Sequence, residues 1–269
     1  MNDIFKRIPI LYSLLLGFTL TIISLVIFPN MILPSLESLQ KIYPSLLMPH
    51  KNYLYIGAIS IFWLITNLLY IEYFEKNQRF KQIFDHQLKE IVSIGCLMTI
   101  FWIVSWLNHS LLLSLIFIAV ATNYLLKGIR IISQNSQLRQ NSWLIKFPSG
   151  FFVGWLIFET VVTLFAYMKS VGITFSGMLW VIVAIMTVLL LALFSSYYYA
   201  KYGNGMMMIA IILGVFGLAI QHHNKQFPYA NNMIFICTLA IGVMMVALFI
   251  YLTHLNNQQN QKSKTDIEK

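Results

Sequence analysis

The sequence predicts an all-α membrane protein, a bundle of about eight transmembrane helices. Three observations carry that expectation. Hydrophobic residues make up 58% of the 269 positions and charged residues only 10%, with a mean hydropathy of +0.73. A soluble domain carries roughly a quarter charged residues, so this chain cannot coat a water-facing globule. The apolar residues also gather into runs of on the order of 20, the length that crosses a hydrocarbon core of about 30 Å. Finally, the basic residues alternate in density from one inter-run segment to the next.

Eight runs qualify as spans: 10–28, 52–74, 91–107, 110–131, 148–168, 175–199, 205–221 and 231–253. Helices are expected because an open strand cannot satisfy its backbone in lipid. The first run follows Lys6-Arg7 and resembles a signal peptide. It is longer than such an apolar region, and Phe28-Pro29-Asn30 stands where small residues would mark cleavage, so it is read as a span. The second contains Trp63. A tight Asn108-His109 turn joins the third and fourth, and the fifth contains Glu159. The seventh is short. The segment from Asn256 onward is polar and is expected to be a disordered cytoplasmic tail (256–269), which leaves 1–255 as one polytopic domain.

Charge placement sets the expected orientation. Lys6, Arg7, Lys76, Arg79, Lys81, Lys89, Lys127, Arg130, Arg139, Lys146, Lys201, Lys262, Lys264 and Lys269 fall on one side of an eight-span chain. Only Lys41, Lys51, Lys169 and Lys225 fall on the other. The rich side is the cytoplasmic one, so both termini are expected in the cytoplasm of a cell-membrane protein. The same bias accounts for the net charge of +9 as a positive face toward anionic lipid rather than a nucleic-acid site. Cys96 and Cys237 lie in apolar runs without a CxxC partner, which argues against a disulfide framework or a zinc site. Adjacent His222-His223 and the distant His109 form a weak metal candidate, since neighbouring helical side chains diverge. No GxSxG, HExxH, Walker loop or Asp-rich diphosphate motif is present, so no enzyme is expected.

Glu159 is the acidic residue near the middle of a span. An ionised carboxylate there costs about 2.5–3.5 kcal/mol on insertion scales. It is therefore expected to face the bundle interior, protonated and hydrogen bonding. Helical spacing puts Phe152, Trp155, Glu159 and Val162 on one stripe. One reading is a pocket wall with a single polar handle; the other is a carboxyl that ties one helix to a neighbour. Gly150 and Gly154 give a small-xxx-small pair, read as close helix packing within the chain ahead of dimerisation. Trp143 fits an interfacial belt. Trp63, Trp102 and Trp155 lie deeper, and Trp102 and Trp106 are helical neighbours. They are either the walls of a cavity for a flat apolar ligand or large side chains that fill helix contacts.

Phe147-Pro148-Ser149-Gly150-Phe151-Phe152-Val153-Gly154-Trp155 resembles a "PFSIYLGW" signature of longer bacterial members of the tryptophan-rich sensory protein group, the TspO/MBR or translocator-protein type. The segment 48–73 resembles that group's proline-led helix with its Trp…Tyr pattern, here Trp63 and Tyr70. The segment 99–131 resembles its Trp-bearing helix, short polar turn and Leu-rich helix. The likeness runs over roughly 45–220. Glu159 and Thr163 replace an expected Ala and Asn, Thr99 an expected Asn, and Leu213 an expected Trp. The resemblance implies a TspO/MBR-like helical core with an intramembrane pocket for a tetrapyrrole or sterol-like molecule.

The expected ligand-binding residues are Trp63, Trp102, Trp106, Phe152, Trp155 and Glu159, with no catalytic residue and no metal. A tetrapyrrole is the candidate ligand. Membrane lipid and a small apolar molecule are the expected partners, with self-association open and no nucleic acid. A proton-coupled transporter that uses Glu159, and a structural membrane protein with no small ligand, are the competing readings.

Overall fold

A computed structural model of the chain describes residues 45–50, 52–140, 142–173 and 177–267. The first predicted span, with Lys6-Arg7, Lys41 and Lys51, lies outside the described residues. The remaining spans are all helices long and apolar enough to cross a membrane, and no strand occurs among the described residues. The helices are α1 (Asn52–Tyr73), α2 (Gln78–Gln87), α3 (Lys89–Leu107), α4 (Leu111–Gln134), α5 (Ser136–Gln140), α6 (Phe147–Ser170), α7 (Gly177–Tyr202), α8 (Gly205–His223) and α9 (Asn232–Ile267). A π-helical turn, Ser142–Lys146, feeds α6. The chain is a multi-pass membrane protein. Its spans agree with the sequence reading to within a few residues, because the apolar runs set their length.

Helix α6 is the pillar of the bundle. Of its membrane-spanning window 72% is buried inside the protein, against 22% for the outer helix α7. Every residue from Pro148 to Glu159 is buried. Pro148 in the first turn has no N–H to leave unpaired. Glycines make the pillar approachable. A Cβ at Gly154 would lie 2.8 Å from Ala210 Cβ, and 3.0 Å from the Met207 carbonyl carbon on α8. A Cβ at Gly150 would strike the Asn204 side chain. The small-residue pair therefore acts within the chain, where it brings α6 onto α8. At Gly214 the relation is reversed: α8 makes room for Phe158 of α6 at 2.6 Å. Two further glycines end helices with left-handed backbones, Gly172 (φ +76°) after α6 and Gly203 (φ +64°) after α7.

Around the pillar, α4 and α8 pack against α6 along most of its length, α1 packs beside them, and α7 and α9 close the far side. Helix α3 is paired with α4. Among the described residues α1 and α3 have no extensive backbone packing against each other, and α3 reaches α6 through long side chains.

The segment between α1 and α3 reads as a loop in the sequence, yet it contains α2. Asn77 caps that helix: its Oδ1 accepts from Phe80 N at 3.1 Å. Phe80 and Phe84, one turn apart, are buried with Ile71, Leu88, Ile132, Leu138 and Ile145 in a second small core. Lys89 Nζ pairs with Glu72 at 2.7 Å and lies 3.4 Å from Asp85. At the other end of the chain α9 continues to Ile267, so much of the stretch read as a disordered tail is helical here.

Candidate functional site

The site is built where three helices meet the stripe on α6. Phe152 (0% exposed), Trp155 (4%), Glu159 (4%) and Val162 are all buried, like the rest of this half of α6. Trp155 projects toward α1, and Gly57 is the position that admits it: a Cβ there would lie 2.8 Å from the indole Nε1 and nearer still to the ring carbons. Trp102 of α3 meets Trp155 edge-on, with centroids 5.6 Å apart and planes at 71°. Phe152 lies nearly parallel to Trp155, at 6.0 Å and 21°. Trp106 continues the row at 6.5 Å from Trp102.

Polar groups inside this aromatic cluster divide into two sets. Trp102 Nε1 donates to Thr163 Oγ1 at 3.3 Å, which links α3 to α6. Ser114 Oγ donates to the Trp102 carbonyl at 3.3 Å, and Thr99 Oγ1 donates to the Gly95 carbonyl at 2.9 Å. The Thr122 and Thr160 hydroxyls, 3.1 Å apart, tie α4 to α6. By contrast, the Trp155 Nε1 donor and the Glu159 Oε1 acceptor have no hydrogen-bond partner among the described residues. Buried polar atoms normally have partners, and these two lie one helical turn apart on one face. Tyr53 of α1 is the nearby polar side chain. Its ring packs edge-on to Phe158 at 4.9 Å, its hydroxyl reaches the Ala210 carbonyl at 3.4 Å, and it lies within electrostatic reach of Glu159.

Four of the six residues singled out from the sequence are thus buried together, Trp102, Phe152, Trp155 and Glu159, while Trp106 is buried in a neighbouring small cluster with Leu111 and Ala166. Trp63 does not join them. It is half-buried and packs on Trp143 and Phe151, at 6.2 Å from each. Trp143 itself is 71% exposed, as an interfacial residue would be. The sequence reading missed Gly57 and Tyr53 as members of the cluster; Thr163 enters that reading only as a departure from the family pattern. The Gly57 signal was present, since a lone glycine in a helix marks a close approach, but its partner could not be read. Leu213, at the position where a family Trp is expected, is 37% exposed and turned away from the cluster.

The histidines are used structurally. His222 Nε2 bonds the Leu46 carbonyl at 2.7 Å, and His223 packs on Phe235. Among the described residues no group of three or more His, Cys, Asp or Glu side chains is placed to hold a metal. Cys96 and Cys237 are free thiols.

A family model described as TSPO-like protein matches residues 9–252. No curated protein and no solved structure matches the chain.

Proposed function

The chain belongs to the TSPO-like family, and on that premise we propose that it binds a planar apolar ligand, tetrapyrrole- or sterol-like, in a sensory or transport role. The ligand would lie where α1 and α3 part over the pillar helix. Phe152 and Trp155 offer parallel faces, Trp102 and Trp106 the side wall, and Glu159 a hydrogen bond to one polar edge. One observation carries the reading: the indole N–H of Trp155 and Oε1 of Glu159 are buried, one helical turn apart, and without a hydrogen-bond partner among the described residues. A molecule with both an acceptor and a donor on its rim would satisfy the pair, and its flat body would match the rings. Following the basic-residue bias, we place the α2 side, with both termini, in the cytoplasm of a cell-membrane protein.

The test is a titration of the purified protein with protoporphyrin, read by quenching of tryptophan emission. Saturable quenching is expected. Trp155→Phe and Glu159→Leu should each weaken it about tenfold, the value of one hydrogen bond to a strongly polar group. Absence of quenching by any tetrapyrrole or sterol in folded protein would refute the proposal. The same unpartnered carboxyl supports a second reading, a proton-coupled transporter, in which Glu159 takes up and releases the proton. That reading predicts proton-dependent uptake into proteoliposomes that Glu159→Gln abolishes, whereas Gln should preserve simple ligand binding.

A further inference from the structure

A cavity lies at the far end of α6, about 9–15 Å along the helix axis from Glu159. It has a volume of about 270 Å³ and is lined by the end of α6, the start of α7, the segment before α1 and the α8–α9 connection. Phe165 and Trp180 form its apolar wall, stacked at 5.2 Å with planes 27° apart. Its polar lining includes Lys169, Asn231, Ser45 and Tyr229, and the first three keep protons to give. Lys169 is half-buried and takes no ion pair among the described residues. Asn231 accepts at Oδ1 from Met233 N (3.0 Å) and Ile234 N (3.1 Å), so its Nδ2 protons remain available. Ser45 Oγ accepts from Leu47 N at 3.2 Å and keeps its own proton to give. The Leu46 carbonyl, which could have served as an acceptor, is taken by His222. Among the described lining residues there is no Asp or Glu.

The fold adds to this polarity. Asn231 immediately precedes the 36-residue α9, so the positive end of one long helix dipole faces the cavity, while Lys169, in the last turn of α6, offsets the negative end of that helix. An ammonium, an amide donor, a hydroxyl and the N-terminus of α9 favour negative charge. The stacked aromatic wall favours an apolar body. The volume falls just under the range of drug-sized pockets, about 300–1,000 Å³, so a whole tetrapyrrole does not fit.

We infer that this cavity is a second ligand site, one for a small amphiphilic monoanion: Lys169 and Asn231 hold its carboxylate or phosphate, and its apolar part lies along the Phe165–Trp180 pair. A free organic anion and the end of an anionic lipid present the same chemistry. This site is independent of the Glu159 cluster, because Phe165 projects from a different face of α6.

The test uses the full chain in phosphatidylcholine nanodiscs and para-bromobenzoate, whose bromine quenches a nearby indole. Saturable quenching is expected. It should weaken about tenfold with the neutral para-bromobenzyl alcohol and in Lys169→Gln, the loss of one charge-assisted bond. Lys169→Arg should retain it, and Trp180→Phe should remove most of its amplitude. Nanodiscs that contain phosphatidylglycerol separate the two sources. Competition with the probe in the unmodified protein but not in Lys169→Gln identifies a lipid headgroup, and no competition identifies a free anion. Equal quenching by the acid and the alcohol, or unchanged binding in Lys169→Gln, would overturn the inference. Glu159→Gln should leave this signal untouched, so failure here is distinct from failure of the porphyrin site.

Discussion

Replacing Gly57 with alanine tests the geometry on which the aromatic cluster depends. The added Cβ would lie 2.8 Å from Trp155 Nε1, with two ring carbons nearer, where carbon contacts normally sit at about 3.5–4.0 Å. Something must move by roughly 1 Å. The indole cannot swing aside easily, because Trp102 meets it on one side and Phe152 on another. Helix α1 must therefore shift outward. Overpacking of this kind costs about 1–3 kcal/mol, and alanine regains about 0.5–1 kcal/mol of helix propensity. The expected net loss is about 1–2 kcal/mol, read as the shift in an SDS-induced unfolding curve followed by circular dichroism. Gly128→Ala supplies the control: its nearest neighbour would be Ile91 Cγ2 at 3.7 Å, so it should be neutral or stabilising. Trp155→Phe removes the ring atoms in the clash, so Gly57→Ala should cost less in that background, with a coupling of about 1 kcal/mol. If Gly57→Ala is harmless alone, or its cost is the same in both backgrounds, Trp155 does not rest on α1.

Other variants probe the remaining contacts. Gly154→Ala sets a Cβ against the Met207 backbone, with its carbonyl carbon at 3.0 Å, and against Ala210 Cβ at 2.8 Å, none of which can swing aside; it should cost at least as much as Gly57→Ala in the same unfolding assay, about 1–3 kcal/mol. Trp102→Phe and Thr163→Val each break the 3.3 Å bond between α3 and α6. Each should lose about 1 kcal/mol, and the double variant should fall short of the sum of the two losses. Lys89→Ala removes the ion pairs to Glu72 and Asp85. These groups are partly exposed, so stability should change by under about 1 kcal/mol, while α2 becomes more open to hydrogen exchange.

The spans were legible because lipid imposes a length and a composition on any helix that crosses it. Glu159 was legible for the same reason: a carboxyl in the middle of a span has to turn inward, and it is buried. Its place on a stripe with Phe152 and Trp155 follows from the helical repeat alone. What the sequence could not supply was the pairing between helices. Trp63 and Gly57 are six residues apart on α1, about 9 Å along its axis, and only the second stands level with Trp155. The tryptophan that looked like a pocket wall therefore packs on Trp143 and Phe151, and a glycine takes its place beside the indole. Helix α2 was missed because its ten residues are too few and too polar to register as a span. Its Phe80 and Phe84 pair is an amphipathic signal that a search for long apolar runs passes over.

The contact with α8 and the Glu159 cluster place opposite demands on one helix. Packing of α6 onto α8 requires small residues, and Gly150 and Gly154 supply them on one face. With α8 so close, that face has no room for a ligand. The face one turn on has Trp155 and Glu159 instead, and there, among the described residues, α1 and α3 have no extensive backbone packing against each other. Bulky aromatics between them serve either as the final filling of the bundle or as walls that open for a guest. The polar atoms favour the second role. Among the described residues the Trp155 indole N–H and Glu159 Oε1 have no partner, and a buried polar atom left so costs on the order of 1–3 kcal/mol. Helix α3 gives that cost a means of relief, since Trp102 and its bond to Thr163 provide its polar link to the pillar. A guest that satisfies Trp155 and Glu159 would have to displace side chains along that seam and not the tightly seated α6–α8 pair, so ligand-induced change in hydrogen exchange should concentrate in α3 and leave α8 protected.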